Sequence, residues 1–306
     1  MSRLTTGYVI GLVGVIIWST TGILIGYLLT TYALPALLLA FWRNLFACVA
    51  LLPALTLIRR RLPRIERRQV RFYAVYGLLL ALFNSVWTIS VQANGAAVAT
   101  VLGYSSAGFT AVFAWWLFGE QLRLPKIMAV TLSLIGCVMV ANAYDPAMWN
   151  INPVGIVTGL GTGVLFAFYN LMGKSAAQRG LDTWNSLLCS FAFATLFTFV
   201  FNLLPGTSTG LVPDLPLDGW LILILLSFGP TVLGFGLYTA SMRYLSASTA
   251  SLLATLEPAF TAVEAYLWLG ERLSIVQIIG SLVILAGVVL VRLEKEPETP
   301  KASSPV

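Results

Sequence analysis

The chain contains no histidine. That removes the usual metal ligand and the usual proton carrier near neutral pH. Charge is also scarce, at 10 % of residues against 58 % hydrophobic. An average soluble domain carries about 25 % charged and about 45–50 % apolar residues. A soluble core of this length needs no such excess, so lipid is the expected solvent for most of the surface. Only three cysteines are present, Cys48, Cys137 and Cys189, far apart and each within an apolar run. Without CxxC spacing they read as small buried apolar residues, not as a disulfide or metal site. No phosphate-cradling glycine loop or ATP motif occurs, which argues against a primary pump. Clustered acids or metal ligands, which a membrane-embedded enzyme would want, are absent too. No catalytic residue, metal or cofactor is expected.

What is present is apolar sequence in long runs. A membrane helix needs about 20 such residues. Ten candidate spans follow, near 7–29, 34–58, 69–91, 95–118, 125–143, 153–176, 183–204, 217–240, 248–268 and 274–293. The first is too long for a secretion signal and lacks a clear cleavage site after it. Seven arginines fall within Arg59–Arg71. A nucleic-acid patch and a basic cytoplasmic loop compete for that run, and in this setting the loop is the better reading. With the N-terminus inside, sixteen Lys and Arg lie at the inner face and only Arg272 at the outer. Both termini are therefore expected in the cytoplasm. The polar tail 294–306 is rich in proline and reads as disordered.

The segment beginning FTAVFAWWLFGEQL at Phe109 returns as FTAVEAYLWLGERL at Phe260. Over 32 aligned residues 13 are identical, at a constant offset of 151. Five spans per half is an odd number, so the second half enters the membrane from the other side. The expected fold is all-α and integral to the membrane, with ten transmembrane helices as two inverted five-helix repeats. These are residues 1–143 and 153–293. Secondary transporters are commonly built so, with the substrate near the midplane between the halves.

Several features together resemble the drug/metabolite transporter superfamily and, within it, the EamA-type exporters. They are the ten spans, the two G-E-x-L turns at Gly119-Glu120 and Gly270-Glu271, Trp18-Ser19, Arg43-Asn44 and Glu257-Pro258. The chain is similar to that family's bacterial aromatic amino acid exporters. The resemblance covers about 7 to 293 and implies export of amino acids from the bacterial inner membrane. One departure stands out: the first half has Ser106-Ala107 where the second has Glu257-Pro258, which predicts unequal bending of the two helices.

Ionisable residues within a span are costly and point to function. Glu257 stands in the ninth span before Pro258, which frees a carbonyl near Ala254. It reads as an amine, cation or proton site, or as a protonated side chain bonded to a neighbouring helix. Glu264 lies about 10 Å further along the same face, near the outer end, and is expected to reach water. Arg43 could hold a carboxylate or phosphate, or pin two helices. Lys174 is expected to snorkel to the cytoplasmic interface.

The remaining cavity candidates are uncharged: Trp18, Asn84, Trp87, Tyr104, Tyr169 and Tyr238. Pro258 and Gly234 are candidates for a helix break or gate, although close packing is the better reading of the glycines. Such a cavity suits a zwitterion better than a sugar phosphate. The expected partners are a small-molecule substrate, amino acids, and the lipid bilayer, with no nucleic acid. A monomer is the expected unit. An antiporter of other metabolites and a multidrug exporter stay open as alternatives.

Overall fold

The computed structural model describes residues 3–59, 66–148, 152–204, 210–269 and 274–293. The basic residues 60–65, the second G-E-x-L turn and the tail from Glu294 lie outside them.

Helices dominate because a chain with so few polar side chains in lipid must satisfy its backbone internally. In order they are α1 (Arg3–Thr31), α2 (Ala36–Arg59), α3 (Arg67–Gly103), α4 (Ser106–Phe118), α5 (Leu124–Val140), α6 (Pro153–Gln178) and α7 (Thr183–Asn202). There follow α8 (Leu217–Leu226), a π-helical stretch Ser227–Gly234 around Pro230, α9 (Phe235–Ser241), α10 (Ala247–Ala254), α11 (Glu257–Leu269) and α12 (Ile275–Leu293). No strand occurs among the described residues.

Among the described residues seven stretches are long and apolar enough to cross a membrane: Arg3–Thr31, Ala36–Thr56, Arg67–Val91, Val98–Phe118, Pro153–Gln178, Thr183–Asn202 and Leu217–Ser241. That is fewer than the ten expected. Two apolar helices, Leu124–Val140 and Ile275–Val291, are shorter. The expected ninth span falls on α10 and α11, either side of an interruption at Thr255-Leu256, and is not among the seven. The boundary expected after Val91 also moves. Asn94 and Gly95 are weak helix formers, but neither blocks a helix as proline would. So α3 continues through them and ends only at Gly103.

The offset of 151 reappears in the elements. Residues 106–118 form α4 and residues 257–269 form α11, so both bounds differ by 151. Leu124 begins α5 and Ile275 begins α12, again 151 apart. Packing follows the same rule. Helix α3 lies against α6, and α1 lies against the α8–α9 segment; α4 packs on α6, and α11 on α1. Helices α5 and α12 pair with each other, as do α2 and α7.

Small residues make these crossings close. A Cβ on Gly136 would stand 2.7 Å from the carbonyl oxygen of Gly280, so α5 and α12 meet backbone to backbone. Gly7, Gly11 and Gly159 are likewise packed against neighbouring side chains, whereas Gly26 faces open space. Gly119 has another role. Its φ of 66° ends α4 in the left-handed region, where glycine carries no Cβ penalty. This explains the Gly of the first G-E-x-L turn.

Candidate functional site

The interruption between α3 and α4 and that between α10 and α11 are joined by a side-chain hydrogen bond. Tyr104, at the first, donates its hydroxyl to the carboxylate of Glu257, which opens α11. The Tyr104 side chain is buried. Both interruptions are bridged by tight turns: Ser105 N–H donates to the Leu102 carbonyl, and Leu256 N–H to that of Leu253. Pro258 is the second residue of α11, where its missing N–H removes no helical bond. The first half breaks at the equivalent place without a proline.

Beside this pair is a block of rings. Trp18 packs against Phe235 at 4.7 Å, Tyr238 at 5.4 Å and Phe166 at 5.7 Å between centroids. Tyr169 lies 4.7 Å from Tyr76. The Tyr238 hydroxyl donates to Asn170 Oδ1 at 2.9 Å, and Asn170 Nδ2 reaches Thr110 and Ser251 at 3.4 Å. Trp18, Tyr169 and Tyr238 are buried against one another in this state. Gly234 lets α1 approach, since a Cβ there would stand 2.9 Å from the Trp18 nitrogen.

Arg43, Asn84 and Trp87 come together elsewhere. They line a crevice between α1, α2 and α3, with Leu29, Leu39 and Thr88 among its walls. With the open space at its mouth included it spans about 280 Å³, of which a water-sized body could occupy only a small part. Arg43 is 7 % exposed and Asn84 5 %. One guanidinium nitrogen of Arg43 donates to Asn84 Oδ1 at 3.4 Å, a long bond; Arg43 Nε and Asn84 Nδ2 have no partner among the described residues. Arg43 and Glu257 feel each other's charge but form no ion pair.

Two side chains behave differently from expectation. Glu264 does not reach water: it is 9 % exposed and accepts a hydrogen bond from Ser19 at 2.7 Å. Ser19 is buried on α1 and packs close enough to cover the carboxylate. Lys174 does not snorkel. Its Nζ donates to the carbonyls of Leu245 at 2.6 Å and Met242 at 3.2 Å, just beyond the end of α9. Those carbonyls are left over by the helix terminus, and a buried ammonium satisfies them.

Sequence reasoning missed Glu120. It accepts from the Ala247 N–H at 2.9 Å and from the Ser248 hydroxyl, so a first-half carboxylate caps the start of α10. Lys126 stands 3.6 Å from it, with its side chain only 7 % exposed. The available signal was the repeated Gly-Glu of the two G-E-x-L turns. Among the described residues no group of three His, Cys, Asp or Glu could hold a metal.

The EamA-like transporter family matches residues 5–142 and again 153–293. The chain belongs to that family, and it is a multi-pass membrane protein. It is similar to an uncharacterized inner membrane transporter, YicL, of Salmonella typhimurium, 24 % identical over 92 % of this chain and 94 % of the relative. A probable amino-acid metabolite efflux pump of Salmonella typhimurium is 25 % identical over 91 % of this chain and 92 % of the relative. An uncharacterized transporter of Archaeoglobus fulgidus is 26 % identical over 69 % and 74 %. One crystal structure shares the fold, with a TM-score of 0.78 at 19 % identity over 95 % of this chain and 98 % of the other.

Proposed function

We propose that the chain is a secondary transporter that exports amino acids, aromatic and other neutral ones, from the bacterial cell by alternating access. In this reading ten spans form two inverted five-helix repeats, 1–143 and 153–293, in the inner membrane, with both termini cytoplasmic and 294–306 a cytoplasmic tail. The carrying observation is that helix packing maps onto itself when the halves are exchanged, with the two helix interruptions meeting at Tyr104 and Glu257. Halves with interchangeable packing supply two states of similar energy, open to opposite sides.

The ends of the molecule agree with one such state. Where α1 meets α2, the crevice is open. Near the turn between α4 and α5, Glu120, Lys126 and Ser248 tie the halves together. With the N-terminus inside, the tied end is cytoplasmic and the open end faces outward. The substrate class rests on a half-buried acid, Glu257, and a buried base, Arg43, that are not paired with each other, and on the name of the efflux-pump relative. A sugar phosphate would call for several free cations. Here the buried Lys126 and Lys174 are both bonded to protein.

The test is flux of radiolabelled phenylalanine into proteoliposomes, with and without a pH gradient. Counterflow that unlabelled neutral amino acids compete for is expected. If no amino acid moves under any gradient, the export reading is wrong.

A further inference from the structure

We infer that the crevice between α1, α2 and α3 is a carboxylate subsite. Arg43 and Asn84 hold the carboxylate of the substrate there, and Leu29, Leu39 and Trp87 receive its apolar part. This deepens the amino-acid export reading and rests on it.

A guanidinium cannot shed its proton in a protein, so burial leaves Arg43 charged and in need of acceptors. The protein gives it little. Among the described residues its one hydrogen bond, to Asn84, is at the outer limit of length, and Nε has none. Glu257, the carboxylate whose charge reaches it, is already engaged by Tyr104. Asn84 spends its oxygen on Arg43 and leaves its amide N–H donors free. Both residues line one crevice, and each keeps a buried donor that has no partner among the described residues. Leaving a buried donor unmet costs about 1–3 kcal/mol. An anion entering the crevice would relieve it.

Charge and shape narrow the anion. One free cation offsets one negative charge, whereas a phosphate carries about −1.5 to −2 and three acceptor oxygens. A carboxylate matches the two-pronged face of a guanidinium. The walls contributed by Ile25, Leu29, Ala36, Leu39 and Ala40 are apolar, and Trp87 adds an aromatic face. The ligand is therefore a small monocarboxylate with an apolar or aromatic body, as a neutral amino acid has.

Calorimetric titration of the purified full chain in detergent tests this with three probes. Phenylalanine carries the carboxylate and the amine. Phenylalaninamide lacks the carboxylate, and 3-phenylpropanoate lacks the amine. Wild type should bind the two acids about 10- to 100-fold more tightly than the amide, the range of a charged hydrogen bond. Arg43→Gln should erase that preference by weakening the acids alone, and Arg43→Lys should keep part of it. Asn84→Leu, which keeps the cation, should reduce the preference less and serves if Arg43→Gln does not fold. Equal binding of acid and amide, no binding of any probe, or a preference that survives both Arg43→Gln and Asn84→Leu would overturn the subsite. The two readings fail separately. Arg43-dependent binding of 3-phenylpropanoate without amino-acid flux would end the export reading and leave the subsite. Flux of phenylalanine and its amide at equal rates would do the reverse.

Discussion

Two helix interruptions, Tyr104-Ser105 and Thr255-Leu256, stand 151 residues apart and have nearly the same backbone. Their side chains differ. The second is followed by Glu257-Pro258 and the first by Ser106-Ala107. The break is therefore a property of the repeat, set by packing, since a half without proline makes it too. The carboxyl is an addition to one half. In lipid a break leaves backbone groups that must be satisfied by protein, and here tight turns at both breaks do so. The carboxyl is then free to bond to the opposite break through Tyr104. Shared geometry builds the bundle, and the unshared side chains give the meeting point its chemistry.

Removing the unshared acid should have the largest effect. Glu257→Gln keeps an acceptor for Tyr104, so the protein should fold, yet it removes the group that could carry a charge. Phenylalanine flux in proteoliposomes is expected to fall by more than about tenfold, equivalent to about 1.4 kcal/mol. Wild-type flux in this variant would reduce Glu257 to a packing role. Tyr104→Phe strikes the same bond from the other side. It leaves the carboxylate in place without its donor, at a cost of about 1–3 kcal/mol. Flux should fall less than for Glu257→Gln, and the double variant should lose little beyond Glu257→Gln, because both changes act on one bonded pair. Additive losses would mean that the two residues act separately.

How much of this was readable from the sequence depends on the type of signal. The family and the membrane-spanning class were legible, because apolar length and the G-E-x-L turns are local patterns. Asn84 and Trp87 were legible as cavity candidates as well, since residues three apart share one side of a helix. The continuation of α3 through Asn94 and Gly95 was not, because weak helix formers stop a helix only where the fold lets them. Neither was the fate of Lys174 or Glu264. Insertion rules place a charge near a span end in water, but the partners that bury these two are far away in sequence: Leu245 for Lys174 and Ser19 for Glu264. Ring residues were recognised as a group. Whether each lines a void or fills one depends on neighbours from other helices.

The tie at Glu120 extends the comparison to the helix ends. The residue in register with Ser248 is Ala97 in the first half, and that in register with Lys126 is Gln277 in the second. So the hydroxyl and the ammonium belong to one end only. Ser248→Ala removes one of the bonds to Glu120 and should cost about 1 kcal/mol of closure at that end. A cysteine placed at Ala247 should then react faster with a water-soluble maleimide added from the α4–α5 side. Unchanged labelling would mean that Glu120 serves helix capping alone.

The smallest effect should come from Pro258→Ala, and that makes it the sharpest test of what sets the break. If proline caused the interruption, its removal would restore helical bonding from Ala254 onward and straighten α10 into α11. Packing as the cause predicts otherwise, because Ala107 already occupies the equivalent position beside an equal break. Proline in the first turn of a helix costs little and mainly restricts the unfolded chain, so the melting transition in detergent should shift by less than about 1 kcal/mol equivalent. Phenylalanine flux should stay within about twofold of wild type, the kinetic counterpart of less than about 0.5 kcal/mol. A large loss of flux with an unchanged melting transition would assign the break, and the transport step it permits, to Pro258 itself.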